Sequence, residues 1–448
     1  MVSKRTQDLL QADIDHVIHP FEIVGQNKGI VMETAHGIYL IDTEGKEYID
    51  FSSQLVCCNL GHRRQEIIDA VVEAMGKIDY ITCFYGITNP YTIEVGQKLA
   101  KLTPGDLNHF FFTSGGSESL DTAIKLARLY WSNKGLAGRY KIISLYASYH
   151  GQAGVSTYAT GLGRGAIQNP FGPVSPGFIH VPPPYSYRSM FGDVADCSQT
   201  SIDFLEEVIG AEGPESIAAF MAEPILGAGG QIVPPPQWWP QVAEICKKYG
   251  ILLIVDEVMS GFARTGKMFA SEHWGIEGDI MTMAKGITNA ALPYGAVAIG
   301  DKVYEALRGK LFVHGFTYTG HPIPSAASCA TLDIYVRDKV VENAARVGEH
   351  IKQRLEAEFL PLPCVGDVDG LGVFQAIELV KDKESKAPID PVVKGELWGQ
   401  LFENGVFTRI TGWLGNRMQI CPPCTITIEE ADKTLDIIYS LIAALKSK

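Results

Sequence analysis

The sequence has no run of about 18 apolar residues, so it offers no transmembrane helix. Its first residues, Met1-Val2-Ser3-Lys4-Arg5-Thr6-Gln7-Asp8, lead into no apolar signal core. Basic residues are in deficit: 38 Lys and Arg stand against 51 Asp and Glu, a formal charge of -13. That balance argues against nucleic acid or an anionic membrane as partner. The nine cysteines are scattered without framework spacing, so reduced thiols and a cytoplasmic location are expected. No second Cys or His pair lies at metal spacing from Cys421-Pro422-Pro423-Cys424, so this CxxC reads as buried packing and no metal is expected. Gly161-Leu162-Gly163-Arg164-Gly165 lacks the GxGxxG spacing of a dinucleotide fingerprint. Internal repeats and low-complexity tracts are absent as well.

What remains is a 448-residue chain with ordinary apolar content, 46%, and room for two domains sharing a substantial core. Residues 4–18 have the pattern of a short amphipathic helix. Between 29 and 51, β-rich runs at 37–41 and 47–51 flank the turn Asp42-Thr43-Glu44-Gly45, a small antiparallel meander. Strand-like runs then recur at 108–113, 140–146, 177–181, 217–222, 251–256, 279–284 and 295–299, with helical periodicity between several of them. Alternation on this scale predicts an α/β fold with crossover connections and a mostly parallel sheet. The Pro-rich segments 170–188 and 233–236 read as ordered loops. After about residue 325 the pattern predicts a long helix, a β-containing tail over 365–427 and a closing amphipathic helix at 429–446. The expected division is 1–60 and 326–448 as the two parts of a small domain, with 61–325 as the large one.

The chemistry concentrates at strand ends. The run Ile251-Leu252-Leu253-Ile254-Val255 ends on Asp256 and Glu257, and Asp279-Ile280-Met281-Thr282-Met283-Ala284 ends on Lys285. In an open α/β sheet, ligands bind at the carboxyl edge of the strands. A carboxylate closing such a strand is expensive to bury unless paired. A protonated pyridine nitrogen is a suitable partner, worth about 4 kcal/mol before desolvation at roughly 4 Å and an effective dielectric of about 20. A lysine at an apolar strand tip has a lowered pKa suited to Schiff-base formation. Lys267, in a polar Gly-containing turn, is the competing lysine. Thr113-Ser114-Gly115-Gly116-Ser117-Glu118-Ser119 joins a strand to a helix, where glycines and free N–H groups accommodate an anion. Tyr149-His150-Gly151 and Glu223-Pro224 follow two further strands. Taken alone, the tyrosine reads as packed and the glutamate as a cap.

Together these motifs resemble the class III aminotransferases, the ω-amino-acid and amine transaminases, along nearly the whole chain. The most specific segment is Ile254-Val255-Asp256-Glu257-Val258-Met259-Ser260-Gly261-Phe262-Ala263-Arg264-Thr265-Gly266, followed by Lys285. The resemblance implies a fold-type-I large domain with a seven-stranded sheet and a small α+β domain built from both termini. It also implies pyridoxal 5'-phosphate as cofactor. Lys285 would carry the cofactor and shuttle the proton, and Asp256 would hold the ring nitrogen. Tyr149 and Val258 would lie on the two faces of the ring, with His150 beside it and Glu223 near the 3'-oxygen. Gly116 and Ser117 would bind the phosphate. Phe316 and Thr317 would reach the phosphate of a neighbouring subunit, which makes the enzyme a homodimer, or a tetramer of such dimers, with shared sites.

The expected reaction moves an amino group from an ω-amino acid, an aminosulfonate or a primary amine to a keto acid by a ping-pong mechanism. Relatives that use 2-oxoglutarate commonly carry Arg after the aromatic-His-Gly motif, where this chain has Gln152. Pyruvate is therefore the expected acceptor. Arg409 matches the position that binds its carboxylate, with Arg417 as rival. Val56, where amine transaminases often have Trp, would widen the donor pocket, and Phe84 and Tyr85 would supply an aromatic wall. The alternatives are other chemistry of the same cofactor (an aminomutase, racemase or decarboxylating transaminase) and a 2-oxoglutarate-linked aminotransferase.

Overall fold

A strand that is apolar at every residue needs cover on both faces, and the central strands here receive it. The protein is described from a computed structural model, over residues 2–26, 29–163, 171–173, 175–192 and 194–445. Three strands open the chain: β1 (Met32–His36), β2 (Tyr39–Asp42) and β3 (Glu47–Asp50). Seven strands follow: β4 (His109–Thr113), β5 (Lys141–Leu145), β6 (Phe178–Val181), β7 (Ile217–Ala222), β8 (Leu252–Asp256), β9 (Ile280–Met283) and β10 (Gly295–Ile299). They form one sheet in the order β4-β10-β9-β8-β7-β5-β6. Only β10 runs against the rest, since it pairs antiparallel with both β4 and β9 while the other pairings are parallel. This is the mostly parallel seven-stranded sheet of the fold-type-I class.

Alternation along β8 shows why the run is continuous. Leu252 and Ile254 pack with Leu120, Ile124 and Ala127 of the helix Gly116–Asn133. Leu253 and Val255 pack on the other face with Trp238 and Val242 of the helix Trp238–Tyr249. Asp256 continues the parity of Leu252 and Ile254, so it leaves the sheet on the side of the helix Gly116–Asn133.

The last strands are β11 (Val365–Leu371), β12 (Phe374–Leu379), β13 (Val406–Phe407), β14 (Ile410–Thr411) and β15 (Arg417–Ile420). A second sheet has the order β11-β12-β15-β14, and β13 pairs parallel with β3, so the two ends of the chain share a third sheet. The first helix spans Lys4–His16 and the closing one Ile428–Ala443; residue 446, the expected end of the latter, lies outside the described residues. So do Arg164 and Gly165 of the Gly-rich stretch, and residues 170 and 174 of the Pro-rich loop.

Two local differences from the sequence pattern have simple causes. The meander gains β1, whose exposed Met-Glu-Thr-Ala-His lacks apolar alternation because it is an edge strand with little to bury. The single long helix after residue 325 is two, Pro322–Arg337 and Val340–Arg354, broken where Lys339 turns left-handed at φ 51°. Among the described residues no helix is long and apolar enough to cross a membrane and no cluster of metal-ligating side chains occurs. Cys421 and Cys424 are buried free thiols, and burial pushes the Cys421 thiol up to about 12.

A buried ion cluster joins the second sheet to the end of β6. Arg417 Nη1 lies 2.9 Å from Glu378 Oε2 and 3.1 Å from Asp367 Oδ2, and donates to the Tyr185 hydroxyl. Arg188 donates to Glu378 from the loop that follows β6. Arg417→Leu takes the paired cation from Asp367 and leaves the buried Glu378 carboxylate with Arg188 as its only cationic partner among the described residues, so it is expected to cost about 3–5 kcal/mol, read as a lower urea midpoint for unfolding.

Candidate active site

At the carboxyl edge of the large sheet a cavity of about 380 Å³ opens. Its floor and walls come from the ends of β4, β5, β7, β8 and β9, which all point the same way. Gly116 and Ser117 arrive from β4, Tyr149 and His150 from β5, and Glu223 from β7. Asp256 and Val258 come from β8 and Lys285 from β9. Segments far apart in the sequence thus converge because a parallel sheet brings every strand end to one edge.

Asp256 is buried and held by three donors. Its Oδ1 accepts from the Val258 N–H and the Thr282 hydroxyl, each at 3.1 Å, and His150 Nδ1 hydrogen-bonds Oδ2 at 2.7 Å. These contacts fix the direction of the carboxylate. Glu223 accepts from the N–H of Tyr149 at 2.9 Å and of Gly227 at 2.8 Å. Burial pushes the Glu223 carboxyl up to about 7, with His150 pulling it back down and Asp256 pushing it further up. Lys285 sits in left-handed backbone at φ 48°, two residues past the end of β9. Burial pushes its amine below the ordinary lysine range; Cys57, Glu223 and Asp256 oppose the shift, and Arg409 adds to it. A lysine made easier to deprotonate is able to act as nucleophile and proton carrier.

The opposite end of the cavity is built for an anion. Gly115 caps the helix Gly116–Asn133 without a side chain, leaving the first N–H groups open. A Cβ on Gly116 would sit 2.9 Å from Val258 Cγ1, so the residue there must be glycine for the backbone to come this close. Gly151 has φ +118°, and a Cβ on it would lie 2.5 Å from Ser117 Oγ. The cavity therefore offers an anion cradle, a desolvated amine and a fixed carboxylate around a slot with Tyr149 and Val258 in its lining. This set of groups has the chemistry that pyridoxal phosphate would need: open backbone donors at Gly116 and Ser117, the Lys285 amine and the Asp256 carboxylate.

Several residues singled out from the sequence lie elsewhere. Val56 does not line the cavity; it is buried against Ile225, Phe374 and Cys421, and Leu55 and Cys57 stand on the wall instead. Left-handed backbone at Ser53, Gln54 and Val56 turns the segment so that the neighbours of Val56 face the cavity. Phe84 and Tyr85 line a separate cavity with Phe111, His314 and Gly315. Tyr85 is 95% exposed, so it is no wall for its own chain's cavity. Phe316 packs near Phe111 and His314, and Thr317 is exposed, its carbonyl accepting from the Tyr80 hydroxyl. Gln152 is exposed, with its N–H donating to Ser117 Oγ at 3.3 Å.

Arg409 donates from Nε to Ser52 Oγ at 3.1 Å, while its buried Nη2 has no hydrogen-bond partner among the described residues. Arg417, its rival, pairs through Nη1 with Glu378 and Asp367, while its buried Nε and Nη2 also have no hydrogen-bond partner among the described residues; neither arginine lines the cavity. Sequence reasoning missed Thr282 and Cys57. Thr282 was visible as the one hydroxyl in an apolar run, and the β8–β9 register sets it opposite Asp256. Cys57 had no such signal.

The chain matches the family model "Aminotransferase class-III" over residues 23–442. It is 34% identical to putrescine–pyruvate aminotransferase of Pseudomonas aeruginosa, covering 98% of this chain and 96% of that protein. It is also 34% identical to diaminobutyrate–2-oxoglutarate transaminase of Halomonas elongata, covering 91% and 89%. The crystal structure of a thermostable (S)-enantioselective ω-transaminase from Thermomicrobium roseum superposes with a TM-score of 0.92 at 38% identity, over 99% of both chains.

The raised Glu223 carboxyl has a consequence for stability. Between its ordinary 4.5 and about 7, the folded protein holds a proton that the unfolded chain releases. This group's contribution is thus full below pH 4.5 and is lost as pH rises through 7. Glu223→Gln is expected to remove that decline, by at most about 1.4 kcal/mol per pH unit, in urea unfolding of the cofactor-free protein across the window.

Proposed function

From the premise that the chain belongs to the class-III aminotransferases, which are pyridoxal-phosphate enzymes, we propose that it transfers the amino group of an ω-amino acid, aminosulfonate or primary amine to pyruvate. The observation that carries the reading is the opening of Lys285, Asp256 and the helix end at Gly116 onto one cavity. Pyridoxal phosphate, when bound, supplies an electrophilic aldehyde and an electron-withdrawing ring.

The chain's own residues do the rest. Gly116 and Ser117 bind the phosphate with the open helix terminus. Tyr149 and Val258 would hold the cofactor's ring, and Glu223 would orient the hydrogen bonds beside it. Asp256, oriented by His150, Thr282 and the Val258 N–H, keeps a proton on the ring nitrogen. Lys285 Nζ, which burial makes easier to deprotonate, would take the proton from the amine-bearing carbon of the donor and hand it to the cofactor carbon that carried the aldehyde. The keto acid's carboxylate goes to Arg409, whose unpartnered Nη2 is a ready donor. Gln152 offers no second cation for a dicarboxylate, which favours pyruvate over 2-oxoglutarate. Leu55 and Cys57, rather than Val56, border the donor's substituent.

Two copies share their sites in this reading. Tyr85 at 95%, Leu311 at 87% and Val313 at 85% exposure form part of an apolar surface near Phe316 and Thr317. A homodimer covers such a surface and brings Phe316 and Thr317 to the partner's phosphate. A 2-oxoglutarate-linked reaction is the second reading, favoured by the similarity to the diaminobutyrate–2-oxoglutarate transaminase.

Lys285→Ala is expected to lose the visible absorption of covalently bound pyridoxal phosphate; an unchanged spectrum would assign the cofactor to another lysine. In a donor and acceptor screen, alanine should form from pyruvate faster than glutamate from 2-oxoglutarate, and the reverse order would reject the acceptor. Arg409→Ala should raise KM for pyruvate about 10- to 100-fold, the loss of a hydrogen bond to a charged group. KM for a plain amine should change far less, and equal changes would move the carboxylate site elsewhere.

A further inference from the structure

Arg264 belongs to the most family-specific segment of the sequence, yet it does not line the cavity. Its side chain is among the largest that are fully buried. No carboxylate pairs with it among the described residues. The guanidinium instead gathers neutral acceptors from three separate parts of the chain. Nη1 donates to the Pro422 carbonyl and, at 3.3 Å, to that of Val373. Nη2 donates to Asn59 Oδ1 at 2.6 Å and to Ser53 Oγ at 3.1 Å.

The acceptors are themselves cross-linked. Ser53 Oγ donates to the Cys421 carbonyl at 2.8 Å, Asn59 Nδ2 to that of Phe262 at 2.8 Å, and the Cys424 N–H to that of Asn59 at 2.7 Å. Segment 53–59 is thus tied at both ends to one buried cation. Between the ties the backbone is strained: Ser53, Gln54 and Val56 all have positive φ, at 45°, 58° and 56°, and Val56 is β-branched. That strain is what turns Leu55 and Cys57 onto the cavity wall. A conformation of this kind persists only where the surroundings over-determine it.

We propose that Arg264 is a positioning residue that sets the donor wall of the active site from behind, by clamping residues 53–59 in their strained conformation. Lysine cannot replace it, because one ammonium does not span the Ser53, Asn59, Val373 and Pro422 acceptors in a planar fork. The proposal rests on the transaminase reading for its link to substrate, and on geometry alone for the clamp.

The test uses the cofactor-loaded enzyme, with Arg264→Lys and the milder Ser53→Ala. Arg264→Lys should bind pyridoxal phosphate with the wild-type visible spectrum and raise KM for the amine donor about tenfold, with kcat within about threefold. Alkylation of Cys57 by iodoacetamide, followed by peptide mass spectrometry, should accelerate in Arg264→Lys, and Ser53→Ala should move both readouts the same way by less. If Arg264→Lys does not fold, Ser53→Ala decides alone. Unchanged donor KM together with unchanged Cys57 alkylation in a folded variant would overturn the clamp. So would a fall of kcat, cofactor content and melting temperature in step, the mark of a merely structural role. A wild-type enzyme that transaminates no donor would overturn the transaminase reading instead, and the alkylation rates would still decide the clamp.

Discussion

The structure depends on keeping charged groups at the desolvated end of a parallel sheet. Asp256 and Lys285 follow adjacent strands, β8 and β9, and each would be cheaper in water. The sheet tolerates them because each is supported differently. Asp256 is held by hydrogen-bonding partners on both carboxylate oxygens, whereas burial makes the Lys285 amine give up its proton more readily. One cavity thus holds an oriented carboxyl group and an amine with a lowered proton affinity, the combination that pyridoxal-phosphate chemistry draws on.

Around this centre the polar interior is organised in tiers. His150, Thr282 and Glu223 touch the cavity or the groups that line it. Behind them lie two buried arginines with different tasks. Arg417 meets carboxylates of its own sheet and, by donating to the Tyr185 hydroxyl, ties that sheet to the segment after β6. Arg264 meets only neutral oxygens and holds loops. A cation satisfied by carbonyls and amides constrains several backbone segments at once, which a simple ion pair does not do.

Much of this was legible in the order of the residues. The seven strand positions could be read from apolar runs because both faces of each central strand are covered, and their alternation with helices implied the parallel sheet. The groups Gly116, Ser117, Tyr149, Glu223, Asp256 and Lys285 stood out because each follows such a run, and strand ends in a parallel sheet meet. The wall residues were not legible in the same way. Segment 53–56 has no regular period, so which of Leu55, Val56 and Cys57 faces the cavity depends on left-handed backbone that apolar patterning does not encode. The polar edge strand β1 escaped notice for a related reason: it buries too little to need a pattern.

By itself, then, the sequence determined the layer architecture, the sheet edge at which chemistry is possible and the residue types delivered there, because periodicity and burial are local properties of a strand or helix. Tertiary structure alone decided the rest. It assigned Arg417 to an ion cluster, left Arg409 with an unpartnered nitrogen, turned Val56 inward and put Tyr85 on the surface. Each of these outcomes depends on contacts between segments tens to hundreds of residues apart, which no local pattern specifies.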